Sequence, residues 1–370
     1  MITKPAAAPS PLRAALSAFW AGFTQPSLFA LFGMAIMFVV TAITVFVEVT
    51  PQKLAGPLGN YLARTHRDDE GSATKNAFVL ADTSRPISTT PHLYVLGNSL
   101  IAQSLANGPK LDKALEAETH RPWSTYFMTT GSQGPLDEAS LADYATIHQP
   151  GIVVLPMNFD RFESDPKEMM RYYRIARLGF RSELADSQVK EILKERPRRR
   201  TGIFLFDNRF FFLRNASMIA LRLIWRSPAE QRIDNFVFKP TPGKLVTYKQ
   251  EIVGSLRASY RHPQLATSLL EDTVKTIEAR GSSVIFFQTP ISKILLDDPA
   301  DYQRFRIHLA KSEEMAKRLG GYYCKPPGDA VLPTHLFSDY YHLANPVWQD
   351  KMRRTLARCA AEVQRERTAS

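Results

Sequence analysis

The sequence predicts an α/β protein: a doubly wound parallel sheet with a helical insertion and one N-terminal transmembrane helix. Three observations carry that prediction. From His92 onward, short apolar runs alternate with helical periods across short connections, as parallel βαβ units require. One of those runs, Ile152–Leu155, is continuous and largely β-branched, the pattern of a strand buried on both faces. Near the start, Ser27–Val47 holds 21 residues without a charge.

Residues 1–26 are rich in Ala, Pro and Ser and read as a cytoplasmic tail. The stretch 27–47 is long enough, at about 1.5 Å per residue, for the roughly 30 Å hydrocarbon core of a bilayer. A cleaved signal peptide has a shorter apolar region and a small-x-small exit, whereas the exit here reads VEVTPQ. An uncleaved signal anchor is the reading, with a buried core helix as the alternative. Lys4 and Arg13 precede the span, no acid occurs among the first 26 residues, and Glu48 follows it. The positive-inside rule then puts the N-terminus in the cytoplasm and the bulk of the chain outside. Residues 48–90 read as a linker, with a short helix over Leu54–Arg64 and then a tether.

The body, 91–370, begins with strand His92–Leu96 and a helix over Ser99–Ala106. Strand Ser124–Met128, a turn at Gly131–Pro135 and a helix over Leu136–His148 follow, then strand Ile152–Leu155. Residues 160–262 break the rhythm with Arg and aromatics and read as a helical insertion. Within it, Glu195–Arg200 (ERPRRR) reads as a solvated basic loop. Asp207–Arg226 reads either as a helix on an anionic membrane surface or as an ordinary core helix. The α/β rhythm returns with helix Leu265–Arg280, strand Ser283–Gln288 ending in Thr289-Pro290, a helix around Tyr302–Leu319, and a last helix from Pro346.

Composition narrows the class. Apolar residues make up 44% and charged residues 22%, which excludes a wholly disordered chain. The net charge of +11 fits an anionic neighbour such as a membrane surface or an acidic polymer. The basic residues are dispersed, which disfavours nucleic acid as a partner. Two cysteines, Cys324 and Cys359, exclude a disulfide scaffold and a Cys-rich zinc site. They could pair in an oxidising compartment or remain buried thiols, and Cα atoms more than about 7 Å apart would forbid the bridge. There is no P-loop, Rossmann glycine fingerprint, HExxH or Cys-x-x-Cys, so no cofactor or metal is expected.

In an open parallel sheet, ligands bind beyond the carboxyl ends of the strands. Those positions hold Gly97-Asn98-Ser99, then Gly131 and Gly134, then Met157-Asn158 with Asp160, and finally Asp339-Tyr340-Tyr341-His342 before the last helix. A serine hydroxyl needs a base, and the base needs an orienting acid. Ser99, His342 and Asp339 can fill those roles. The oxyanion of an acyl-transfer intermediate needs preorganised donors, and the N–H groups of Ser99 and Gly134 and the Asn158 amide suit that need. Each piece alone is common in turns and caps; their joint order along the chain carries the reading. His335, four residues before Asp339, reads as a structural or surface residue.

That order resembles the SGNH (GDSL-like) hydrolase superfamily. GNSL at 97–100 resembles the GDSL block, with Ser99 as nucleophile, and GSQG at 131–134 the second block, with Gly134 as oxyanion glycine. LPMNFD at 155–160 resembles the GxND block, with Asn158 in the asparagine position, and DYYHL at 339–343 is similar to the closing DxxH block. The similarity covers about residues 91–159 and 283–360. Departures are Asn98 for the aspartate of the first block, Pro156 and Phe159 in the third, and Trp348 where a glycine often follows the last.

The resemblance implies an SGNH/flavodoxin-like three-layer fold and a Ser-His-Asp esterase or acyltransferase. The anchor and the insertion look like the branch of DltD-type teichoic-acid D-alanylation proteins and exopolysaccharide acetylation proteins. That branch implies a single-pass protein of the bacterial cytoplasmic membrane with a periplasmic body. It also implies an acylated glycan substrate and a membrane-bound O-acyltransferase or polysaccharide synthase as partner. The alternative is a non-catalytic subunit that keeps the fold and docks to such an enzyme.

Overall fold

The computed structural model describes residues 28–48, 69–105, 108–162, 165–175, 178–211, 213, 242–258 and 263–369. The tail 1–26, the expected helix 54–64 and most of 207–226 lie outside them. The chain divides into two units, residues 1–49 and 50–370. The first contains α1 (Leu28–Glu48), 21 residues long. Its described side chains, residues 31–41 and 44, are all exposed. Among the described residues no helix is long and apolar enough to cross a membrane.

In the second unit, β1 (His92–Gly97), β2 (Ser124–Thr129), β3 (Ile152–Pro156), β4 (Ser283–Phe287) and β6 (Tyr322–Cys324) form one sheet in the order β2-β1-β3-β4-β6. Every pairing in it is parallel. Two-residue strands β5 (Ile291–Ser292) and β7 (Val331–Leu332) pair separately. The chain runs outward from β1 to β2, then crosses back to β3 and continues the other way. The strand order therefore reverses between β1 and β3, and this switch point is where such sheets open a crevice.

Alternate residues of each central strand feed opposite faces. Tyr94 and Leu96, Val153 and Leu155, and Val284 and Phe286 face one helical layer. That layer is α2 (Asp69–Leu80), α5 (Pro135–Thr146) and α10 (Pro263–Ala279). Leu93 and Val95, Ile152 and Val154, and Ile285 and Phe287 face the other. The second layer is α3 (Ser99–Leu105), α4 (Gly108–Thr119) and α12 (Pro346–Ala369). Burial on both faces explains why these strands read as unbroken apolar runs, and the arrangement is the expected three-layer α/β fold.

Two boundaries differ from the sequence reading. Residues 69–80 are not tether: α2 buries Ala73, Ala77, Phe78 and Leu80 in the first core, so the folded body begins before residue 91. The insertion is partly core as well. Its helices α6 (Pro166–Ile175) and α7 (Glu183–Glu191) bury Met169, Met170 and Val189 against Leu136 and Leu269. The short α8 (Phe204–Asp207) follows, and α9 (Pro242–Ala258) buries Leu256 beside Leu295 and Phe305. The ERPRRR segment is a loop, tied down where Arg200 meets Asp186 at 2.7 Å.

Cys324, at the end of β6, and Cys359, in α12, are 5.9 Å apart at Cα and form a disulfide. It closes the segment that contains Asp339 and His342. In the chain-entropy account a loop of this length adds about 4 kcal/mol of stability.

Candidate active site

β1 ends in a sharp turn into α3. Gly97 sits at φ +122°, and a Cβ there would lie 2.7 Å from Ile101 and 2.8 Å from Pro156. Only glycine fits, and Pro156 is the neighbour that fills this space. Asn98 then starts α3: its Oδ1 accepts the Leu100 N–H at 3.1 Å, while its Nδ2 donates to Asp160 at 2.7 Å. Asn98 therefore caps the helix and ties the β1 loop to the β3 loop. Ser99 is the first residue of α3, so its N–H has no acceptor inside the helix.

The last block comes to Ser99 from 243 residues away. Ser99 Oγ stands 2.8 Å from His342 Nε2, and His342 Nδ1 stands 2.6 Å from Asp339 Oδ2. The other carboxylate oxygen, Asp339 Oδ1, accepts the N–H groups of His342 at 2.8 Å and Tyr341 at 3.2 Å. Burial alone would raise the Asp339 proton affinity. The hydrogen bond and charge of His342, with the two backbone N–H groups, outweigh it and hold the carboxyl below its ordinary range. Asp339 is thus an ionised acceptor that keeps the Nδ1–H tautomer of His342, leaving the Nε2 lone pair toward Ser99. Tyr340, between them, has φ +70°, a conformation a bulky side chain rarely adopts and one that sets Asp339 and His342 on a single tight turn.

Asn158 lies beyond β3 and is 2% exposed. Its Oδ1 accepts a hydrogen bond from Thr289 Oγ1, whereas its Nδ2 is buried with no partner. A buried donor left unmade costs about 1–3 kcal/mol. The loop carrying Asn158 is held from several sides. Met157 N donates to Phe287 O at 2.9 Å, and Arg161 donates to Pro156 O at 2.9 Å and pairs with buried Glu138. Burial lifts the Glu138 carboxyl above its ordinary range although Arg161 pulls it down. Phe159, one of the departures in the third block, is buried with its ring 6.3 Å from that of His308 and 5.9 Å from that of Tyr341.

Gly134 is placed differently from the other site residues. It is the N-cap of α5, and its N–H faces Asp137 Oδ2 at 3.4 Å, a long contact. A Cβ there would meet nothing within 4 Å, so packing does not require glycine. Its neighbour Gln133 ties the block to the site by accepting the Gly97 N–H. His335 is exposed on a short 3-10 turn. Among the described residues no cluster could hold a metal ion. A cleft of 550 Å³ between α4 and α12, lined by Arg121, Arg358 and Glu362, includes none of the triad.

Sequence reasoning missed two supports of the Asn158 loop. One is Thr289, whose signal was a hydroxyl followed by proline at a strand's carboxyl end. The other is His308, on the buried stripe Phe305, His308, Ser312 of α11 (Pro299–Arg318). Its Nε2 lies 2.9 Å from Met157 O. Burial pushes the imidazole down to about 4, so the ring is neutral and donates there. The unfolded chain, titrating near 6.5, takes up this proton first. Stability should therefore be complete above about pH 6.5 and fall by up to about 3 kcal/mol as pH drops through 4. Denaturant unfolding from pH 7 to 4 should show that slope in the native chain and a shallower one in His308→Gln. Equal slopes would remove His308 from the account.

No family model matches this chain, and no curated protein matches it. The functional reading therefore rests on the residues and their geometry.

Proposed function

We propose that the protein is a membrane-anchored serine esterase or O-acyltransferase of SGNH type. It would act on acyl groups, acetyl or aminoacyl, of a cell-surface polysaccharide or envelope glycan. The observation that carries the proposal is the chain of contacts Ser99 Oγ, His342 Nε2, His342 Nδ1, Asp339 Oδ2, at 2.8 and 2.6 Å. In this reading Ser99 Oγ bonds to the acyl carbonyl carbon as its proton passes to His342 Nε2. The oxyanion meets the Asn158 amide and the Ser99 N–H, with Gly134 N–H as a third donor once it turns from Asp137. The C–O bond to the leaving alcohol breaks as that alcohol takes the proton from His342. Water or a sugar hydroxyl then attacks the acyl-enzyme, gives its proton to His342, and releases Ser99, which recovers it. Hydrolysis and transfer differ only in that acceptor.

The anchor reading is supported by α1, whose apolar side chains, Phe32, Met37 and Phe38 among them, are exposed. A body outside the cytoplasm is supported by the disulfide. The proposed partner is a membrane-bound O-acyltransferase or polysaccharide synthase. The non-catalytic alternative would rest on Pro156 and Phe159, the departures in the third block. Pro156 packs on Gly97, Phe159 is buried, and Asn158 still keeps a free donor, so neither departure argues against catalysis.

A fluorophosphonate probe tests the proposal. The purified protein should be labelled at Ser99, and Ser99→Ala should not be. Labelling that persists in Ser99→Ala would overturn it. A phosphatase reporter active only outside the cytoplasm, fused after Ser370, should be active; a silent fusion would reverse the topology.

A further inference from the structure

We infer that Thr289 is a positioning residue that holds the Asn158 amide by its Oδ1 end and leaves Nδ2 for the reacting oxygen; this rests on the reading of Ser99 as nucleophile. The two ends of an asparagine amide are nearly equal in shape and opposite in hydrogen bonding. With Nδ2 toward the crevice the group stabilises an oxyanion, and with Oδ1 there it repels one. Thr289 holds the amide in the first of these orientations, its hydroxyl donating to Asn158 Oδ1 in a buried setting, 5% and 2% exposed respectively. Nδ2 is thereby left as the end without a partner.

The hydroxyl can hold the amide there because its own backbone is fixed. Gln288 N donates to Cys324 O, and Gln288 Nε2 donates to Thr289 O at 3.0 Å. Pro290 restricts Thr289 to extended conformations, and Ile291 N donates to Ala330 O at 2.8 Å. Thr289 thus comes from the end of β4 as a rigid post against the β3 loop.

The test uses p-nitrophenyl acetate with the full chain. Thr289→Val keeps the shape and removes the hydroxyl. Its kcat should fall about tenfold, the worth of one buried hydrogen bond, with KM little changed. Thr289→Ser keeps the hydroxyl and should stay within about threefold of the native chain. Asn158→Ala should lose roughly 10²–10³-fold, and adding Thr289→Val to it should cost no more, because the amide it positions is gone. A native rate in Thr289→Val, a Thr289→Ser loss as large as that of Thr289→Val, or additive losses in the double variant would each overturn the inference. Ser99→Ala separates this from the underlying reading: if it is inactive while Thr289→Val is native, only the positioning role fails. If Ser99→Ala hydrolyses the ester at the native rate, the reading itself fails.

Discussion

Ser99→Ala should lower kcat for acyl-ester turnover by roughly 10⁴–10⁶-fold while the fold persists. The size of the loss follows from what the hydroxyl does. In the proposed mechanism it supplies the attacking oxygen, and its 2.8 Å contact with His342 Nε2 is the path by which its proton leaves. Without it, no acyl-enzyme forms, and only water bound near the unpartnered Asn158 donor is left to attack. Stability should change little, since Ser99 is only partly buried and sits at a helix start whose cap is Asn98. Steady-state kinetics beside a thermal unfolding curve decides it. A loss of activity matched by a loss of folding would assign Ser99 a structural role.

Asp339→Asn should cost about 10⁴-fold with substrate affinity largely retained. The hydrogen bonds around the carboxylate dictate the result. Asp339 Oδ1 accepts two backbone N–H groups, and Oδ2 accepts from His342 Nδ1. An asparagine must keep its oxygen on the backbone pair, because an NH₂ there would meet two donors. Its NH₂ then faces His342 Nδ1 and donates to it. The imidazole proton moves to Nε2, where it faces Ser99 and can no longer accept the hydroxyl proton. Asp339→Ala lacks that wrong donor and should be less harmed than a tautomer-trapping asparagine. An Asp339→Asn variant with native kcat would show that His342 does not act as the base.

The blocks bearing Ser99, Asn158 and Asp339-His342 were legible because each follows a clear apolar strand or precedes the last helix, where parallel sheets present side chains to ligands. The two-sided burial of β3 was legible from its continuous, largely β-branched run Ile152–Leu155. What stayed hidden was non-local or weakly patterned. Thr289 and Asn158 are 131 residues apart, and no local signal records that they meet. The helix α2 buries two small alanines beside Phe78 and Leu80 and holds Gly, Ser, Thr and Asn, which blurs its period. The helix α4 buries only Leu111 and Leu115, and β6 and β7 are three and two residues long. Gly134 was legible as a position, but the Asp137 carboxylate that its N–H faces was not.

The central claim is that Ser99, His342 and the Asn158 donor act on one acyl group. The most direct measurement is a crystal structure of the fluorophosphonate-treated protein. The account predicts phosphorus bonded to Ser99 Oγ and a phosphoryl oxygen within about 3 Å of Asn158 Nδ2, the geometry of an oxyanion hole. A phosphorus on another side chain, or a phosphoryl oxygen turned away from Asn158 toward solvent, would contradict it.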